Sequence, residues 1–229
     1  MKKLISLLFI LLPLVIFSFG GNCGGNGDSG GDEILISSRL SNPVTLDGKI
    51  TSSEEWADTD AYEVSLDKAW GWPDKQVEEN AAEMTVRFKN DDVWLYMLYK
   101  IAWSASDIDS NDGGAIALFT GPYGPPWAES DYSYLSFGEG TWDAYGWDDS
   151  QWYTDTDAGG QNDVEGAASH DGTYYWFEFR KKLNSGDGYD WALTPPQIVG
   201  DGDSNLLVSA YDDSLVIVYE QEVLLQLSE

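Results

Sequence analysis

The sequence predicts an all-β fold: an antiparallel two-sheet β-sandwich, jelly-roll or immunoglobulin-like, with at most one or two short helical turns. Three observations carry that expectation. Short runs of alternating or continuous apolar residues recur along the chain, separated by clusters of Gly, Asp and Asn. Aromatic and β-branched residues dominate those runs. Segments with a helical period are scarce.

The amino-terminal segment stands apart from this pattern. Lys2 and Lys3 precede an apolar run from Leu4 to Phe17, which is the layout and length of a signal peptide. Phe19-Gly20-Gly21-Asn22 then leads into Cys23, the one cysteine of the chain, and Gly24 to Asp32 forms a glycine-rich tether. The arrangement resembles a bacterial lipoprotein signal. It implies a leader over residues 1–22, acylation of the Cys23 thiol, a tether over 23–33, and one β-sandwich ligand-binding domain over 34–229. The domain would then sit at the bacterial cell envelope, lipid-anchored at the outer membrane or cell surface, or be periplasmic or secreted if Cys23 stays unmodified.

Along the body, Ser52-Ser53-Glu54-Glu55-Trp56-Ala57 reads as a short helical turn, with a serine cap and acids in its first turn. Glu83 to Lys89 alternates: Met84, Val86 and Phe88 face one way, Thr85, Arg87 and Lys89 the other. Asn90-Asp91-Asp92 turns the chain into Val93–Ile101, which is apolar on both faces and reads as a central strand. Ala115–Phe119, Thr173–Arg180, Asn205–Tyr211, Leu215–Tyr219 and Val223–Leu227 read as further strands. From Gly121 to Gly166 the alternation is lost in Gly, Asp and aromatic residues, so this stretch reads as long, irregular and ligand-facing.

Composition narrows the function classes. With 40 acidic against 12 basic residues and a net charge of −28, a nucleic-acid partner is excluded on electrostatic grounds. Removing the leader takes away two lysines and no acid. The 11 Trp and 13 Tyr exclude disorder for the body and supply rings that can stack on sugars or other flat ligands. Trp127, Trp142, Tyr145, Trp147 and Trp152 are the candidate ligand-binding residues within the irregular stretch. Asp107, Asp109, Asn111 and Asp112 present oxygens in a Gly-bounded run and are the candidate calcium ligands.

Several segments, taken in order, resemble one group of sandwiches. Val44-Thr45-Leu46-Asp47-Gly48-Lys49-Ile50 with Glu55-Trp56 is similar to the "DGxxxxxxW" opening shared by two families. One is the family 9 carbohydrate-binding module. The other is the haem-binding domain of the ethylbenzene dehydrogenase γ-subunit type, in the wider DOMON-like group. Asp171–Leu183, Asn184–Asp190 and Ser209–Asp213 resemble the haem family's "dGxWxvxFxRpL", "dTGdxxD" and "fAvWDg". The resemblance implies a sandwich clamping haem b between Met and Lys axial ligands, with an electron-transfer accessory role. In this chain the loop Gly121–Glu129 holds no Met and no Lys follows Lys182; Met84 and Met97 lie on apolar strand faces and read as core, and His170 reads as a solvated turn residue.

Catalysis finds little support. Cys23 lies in the tether, Ser169-His170-Asp171 are consecutive and cannot form a triad among themselves, and no phosphate loop or zinc pattern occurs. The expectation is a non-catalytic envelope protein that binds haem. The alternatives are a glycan-binding module using exposed aromatics and a calcium-stabilised surface lipoprotein.

Overall fold

The computed structural model describes residues 34–70, 76–103, 110, 112–120, 130–147, 151–200, 204–212 and 217–229. Cys23 and the whole leader and tether lie outside the described residues. The strands are β1 (Ile34–Arg39), β2 (Tyr62–Trp70), β3 (Gln76–Asn90), β4 (Trp94–Ala102), β5 (Gly113–Thr120), β6 (Ser130–Ser136), β7 (Gly140–Trp147), β8 (Gln151–Thr154), β9 (Val164–His170), β10 (Tyr174–Lys182), β11 (Ile198–Val199), β12 (Ser204–Asp212) and β13 (Ile217–Leu227), with one helix, α1 (Asp155–Ala158).

The strands form one hydrogen-bonded path, β8-β7-β6-β5-β12-β13-β1-β3-β4-β10-β9, with β2 paired to β3 and β13. The path folds back on itself to make a sandwich. One layer is β8-β7-β6-β5-β12-β13; the other is β9-β10-β4-β3 with β2. A Cβ on Gly114 of β5 would come within 3.2 Å of the Phe177 ring of β10, so the layers touch there. Phe137 and Tyr175 meet edge-on at 5.4 Å across the same gap.

Alternation explains the interior. Met84, Val86 and Phe88 of β3, Met97, Tyr99 and Ile101 of β4, and Tyr175, Phe177 and Phe179 of β10 all point inward and are fully buried. Each such side chain contributes about 1.5–3 kcal/mol by leaving water. The two methionines are therefore core residues. β4 is apolar on both faces because it is buried twice: its outer Tyr96 and Leu98 pack with Trp56, Leu40, Val44, Trp94 and Trp176.

That outer layer is held by one buried carboxylate. Glu178 of β10 accepts hydrogen bonds from the Asp47 amide (3.0 Å), the Gly48 amide (3.2 Å) and the Trp56 indole N–H (2.8 Å). The Asp-Gly and Trp of the opening motif thus converge on a single acceptor. Gly48 has φ +73°, and a Cβ there would lie 2.7 Å from the Ala168 carbonyl carbon, so glycine is required twice over. Covering this face also buries Lys89, which pairs with Asp58, donates to the Glu55 carbonyl and lies 5.4 Å from the Trp56 ring.

The structure corrects four expectations. The segment 52–57 forms two consecutive turns, Glu55 N–H to Ser52 O and Ala57 N–H to Glu54 O (both 3.2 Å); the helix is instead α1, capped by Thr154. Residues 217–227 form one strand, because Glu220-Gln221-Glu222 stays paired with β12 throughout. The sheet is antiparallel except at β1, which runs parallel to both β13 and β3 and bridges the layers. Residues 130–136, 140–147 and 151–154 are regular antiparallel strands; the aromatics that obscured the pattern alternate with small and acidic residues. Among the described residues no helix is long and apolar enough to cross a membrane.

Candidate ligand-binding face

The outer face of the β7-β6-β5-β12 layer is built around small residues. On β5, Ile116 and Leu118 point into the core, while Gly113, Ala115 and Ala117 point outward. Their size lets rings from both neighbouring strands lean across. A Cβ on Gly113 would meet the Tyr134 ring at 2.5 Å. Tyr134 of β6 packs against Tyr211 of β12 at 5.5 Å, edge to face, and against Trp142 of β7 at 5.4 Å. Tyr132 stacks on Tyr134 at 6.3 Å, and its hydroxyl donates to the Tyr211 hydroxyl across β5.

Register extends this platform. Trp142, Tyr134, Ala115, Ser209, Glu220 and Asp67 form one cross-strand row on one face, from β7 to β2. Rings stand at one end of the row and carboxylates at the other. Tyr134 and Tyr211 are buried, while Tyr132 and Trp142 beside them are partly buried. Burial pushes the hydroxyls of Tyr132, Tyr134 and Tyr211 well above the usual tyrosine range, reinforced by the Tyr211 phenol at the first two and by Glu220 at Tyr211. They remain neutral donors and acceptors at every physiological pH.

The rings on the outer face of β4 and β10 are occupied. Arg180 lies 4.1 Å from the Trp94 ring, and Lys100 lies 3.9 Å from the Tyr174 ring and 5.2 Å from Trp176. Cations already cap those faces.

Of the candidate residues, Trp142 belongs to this platform. Tyr145 does not: pairing with Asp131 places it on the opposite face of β7, where it stacks on Tyr189 at 4.6 Å. Trp147 pairs with Gln151 and Trp152 with Gly146 at the β7–β8 hairpin, and their side chains lie outside what is described. Trp127 lies outside the described residues, as do Asp107, Asp109 and Asn111. Asp112 is fully buried, and its carboxylate accepts a hydrogen bond from the Tyr175 hydroxyl at 2.5 Å. His170 is packed edge-on against Tyr175 at 4.6 Å, with Nδ1 accepting from the Gly172 amide at 3.0 Å.

Sequence reading missed Tyr211 and the pairing of Tyr132 with Tyr134. The signal was present as Asp131-Tyr132-Ser133-Tyr134-Leu135, a strict alternation in which the aromatic residues face outward. It also missed the aspartates on the inner face, Asp131 and Asp143.

No protein-family model and no curated protein matches the chain. Among solved structures, the chain is similar to a protein from Bacteroides uniformis described as a candidate carbohydrate-binding protein, at 10% identity and a TM-score of 0.53, over 86% of this chain and 100% of that one. It is also similar to a family 9 carbohydrate-binding module from Caldicellulosiruptor kristjanssonii in complex with glucose, at 12% identity and a TM-score of 0.49, over 86% of this chain and 96% of that one. The same module in complex with cellotriose gives 12% identity and a TM-score of 0.47. At these identities the likeness is one of fold.

Proposed function

We propose that this chain is a non-catalytic carbohydrate-binding protein whose sugar lies on the Tyr132–Tyr134–Trp142–Tyr211 face. The observation that carries the reading is the platform itself: partly buried Tyr132 and Trp142 beside buried, neutral phenols, continued along the row by Ser209, Glu220 and Asp67. A sugar ring offers an apolar face of C–H groups and an equatorial rim of hydroxyls. Aromatic faces match the first, and phenol hydroxyls and carboxylates match the second. Met84 and Met97 lie sealed in the core, which takes the described methionines away from any axial role to haem iron. The fold-level likeness to the Bacteroides protein supports the same choice.

The sequence of residues 1–33 supports a second part of the proposal: the domain is displayed at the bacterial envelope through acylated Cys23. Mass spectrometry of the membrane fraction reads this directly, as a diacylglyceryl cysteine at the mature amino terminus. An uncleaved or unmodified Cys23 would reject it.

A glycan array probed with the purified domain tests the binding reading. Binding to at least one glycan class, lost in Trp142→Ala and kept in Trp94→Ala on the other layer, is the expected result. A blank array, together with a Soret band on haem titration, would return the fold to the haem reading.

A further inference from the structure

On the inner side of the same layer, the end of the sandwich holds a cluster of carboxylates. Asp131 of β6 and Asp143 of β7 point inward, Asp155 opens α1, and Asp187 and Asp190 come from the loop after β10. Lys181, fully buried on β10, reaches across the sandwich to pair with Asp131 and stands 3.8 Å from Asp190. It therefore serves the group Asp131, Asp143 and Asp190. A second group, Asp155, Asp187 and Asp190, meets Lys181 only through the shared Asp190, and neither Asp155 nor Asp187 has an ion pair of its own among those described; Lys182 is tied to Asp163.

The second group has two features that a set of solvated turns lacks. Asp155 is 1% exposed, and neither of its carboxylate oxygens has a hydrogen-bond partner. One oxygen of Asp190 is likewise buried and unpaired. Protonation alone does not resolve this, because a neutral carboxyl still buries an O–H that needs an acceptor. The spacing is the other feature. One oxygen from each of Asp155, Asp187 and Asp190 lies within 4.8 Å of the others. Oxygens held at calcium distance from one centre lie at most about 4.6–5.2 Å apart. The backbone also makes room: a Cβ on Gly160 would sit 3.0 Å from the Asp187 Oδ2 and 3.2 Å from the Asp155 Cβ.

We propose that Asp155, Asp187 and Asp190 bind a calcium ion, which ties α1 and the β8 edge to the 184–190 loop at the end of the sandwich. All-oxygen, all-carboxylate ligation selects a hard divalent cation. The site uses none of the predicted Asp107–Asp112 ligands and stands independently of the sugar reading, since it faces the opposite side of the layer. The ion supplies the positive charge that Lys181 supplies to the neighbouring group.

The test is calorimetric titration of the chelator-treated full domain with calcium chloride, alongside thermal unfolding with and without the ion. Expected are saturable binding and a thermal midpoint raised by about 5–10 °C at a hundredfold excess over the dissociation constant. Asp155→Asn and Asp187→Asn each weaken binding at least tenfold, and exposed Asp60→Asn leaves it unchanged. Without calcium, Asp155→Asn is at least as stable as the parent, because a buried charge is gone; with calcium it is less stable. If Asp155→Asn does not fold, the more exposed Asp187→Asn carries the same readout. A parent protein that gives no binding heat and no shift in millimolar calcium overturns the site, as does parental affinity in Asp187→Asn.

Discussion

At the scale of single residues, Glu178 shows how a motif becomes a contact. Asp47, Gly48 and Trp56 were legible as a family-like opening, but nothing in the sequence said why those types recur together. The structure gives the reason: two amides and an indole N–H meet one buried carboxylate 122 or more positions away. Burial, reinforced by Glu55, raises this carboxyl to about 7 against the pull of its three donors. In Glu178→Gln the amide NH2 must face one of those donors, so the variant loses about 1–3 kcal/mol in urea unfolding. The sign of the pH dependence follows from the raised value. The folded state holds the proton more tightly than the unfolded chain, so the contribution of Glu178 is full at acidic pH and declines as pH rises towards 7. Glutamine does not titrate. The stability deficit of Glu178→Gln therefore narrows as pH increases through that window, and a widening deficit would contradict this account of the carboxyl.

At the scale of elements, β5 decides what the face can be. Its outward residues are Gly113, Ala115 and Ala117, and their small size lets Tyr132, Tyr134 and Tyr211 lie across the strand. Gly113→Ala puts a methyl 2.5 Å from the Tyr134 ring. The ring must lift, at a cost of about 1–3 kcal/mol in thermal or chemical unfolding. Sugar affinity falls in the same variant because the displaced Tyr134 ring no longer supports Tyr132 and Trp142; unchanged affinity would detach the rings from the binding role. This element also shows where reading failed. The run Ala115–Phe119 was legible as a buried strand, yet its neighbours between 130 and 154 were read as irregular. Their outward positions are aromatic and several inward positions are polar, the reverse of the usual sandwich strand, so a hydrophobic period returns no signal. Ser133 and Asp131 are buried while Tyr132 is only partly buried. The proposed calcium ligands were hidden for another reason. They come from separate elements, and only the β6–β7 hairpin, α1 and the loop after β10 bring their vicinity together.

At the scale of the whole molecule, the fold class was legible because it rests on many weak, concordant signals. Alternation in β3, double-sided burial in β4 and the turn at Asp91 each pointed to packed antiparallel layers, and the sheet path bears this out. The crossing of β1 between layers was not legible, since a parallel strand pairing carries no distinct local pattern. Charge acts at this scale too. A net charge of −28 is self-repulsive. The thermal midpoint in chelator should therefore rise between low ionic strength and about 0.5 M salt, as screening shortens the reach of that repulsion. Lys181→Met should fall well below the parent at every salt concentration, because the lost charge is buried against Asp131 and is poorly screened.

The platform's role is tested most directly by titrating an array-selected oligosaccharide into the parent, Trp142→Ala and Tyr132→Ala in parallel. Saturable binding in the parent, weakened at least tenfold in both variants with unfolding midpoints close to the parent's, is the predicted result. Equal affinity in all three proteins would place the sugar elsewhere and contradict the account.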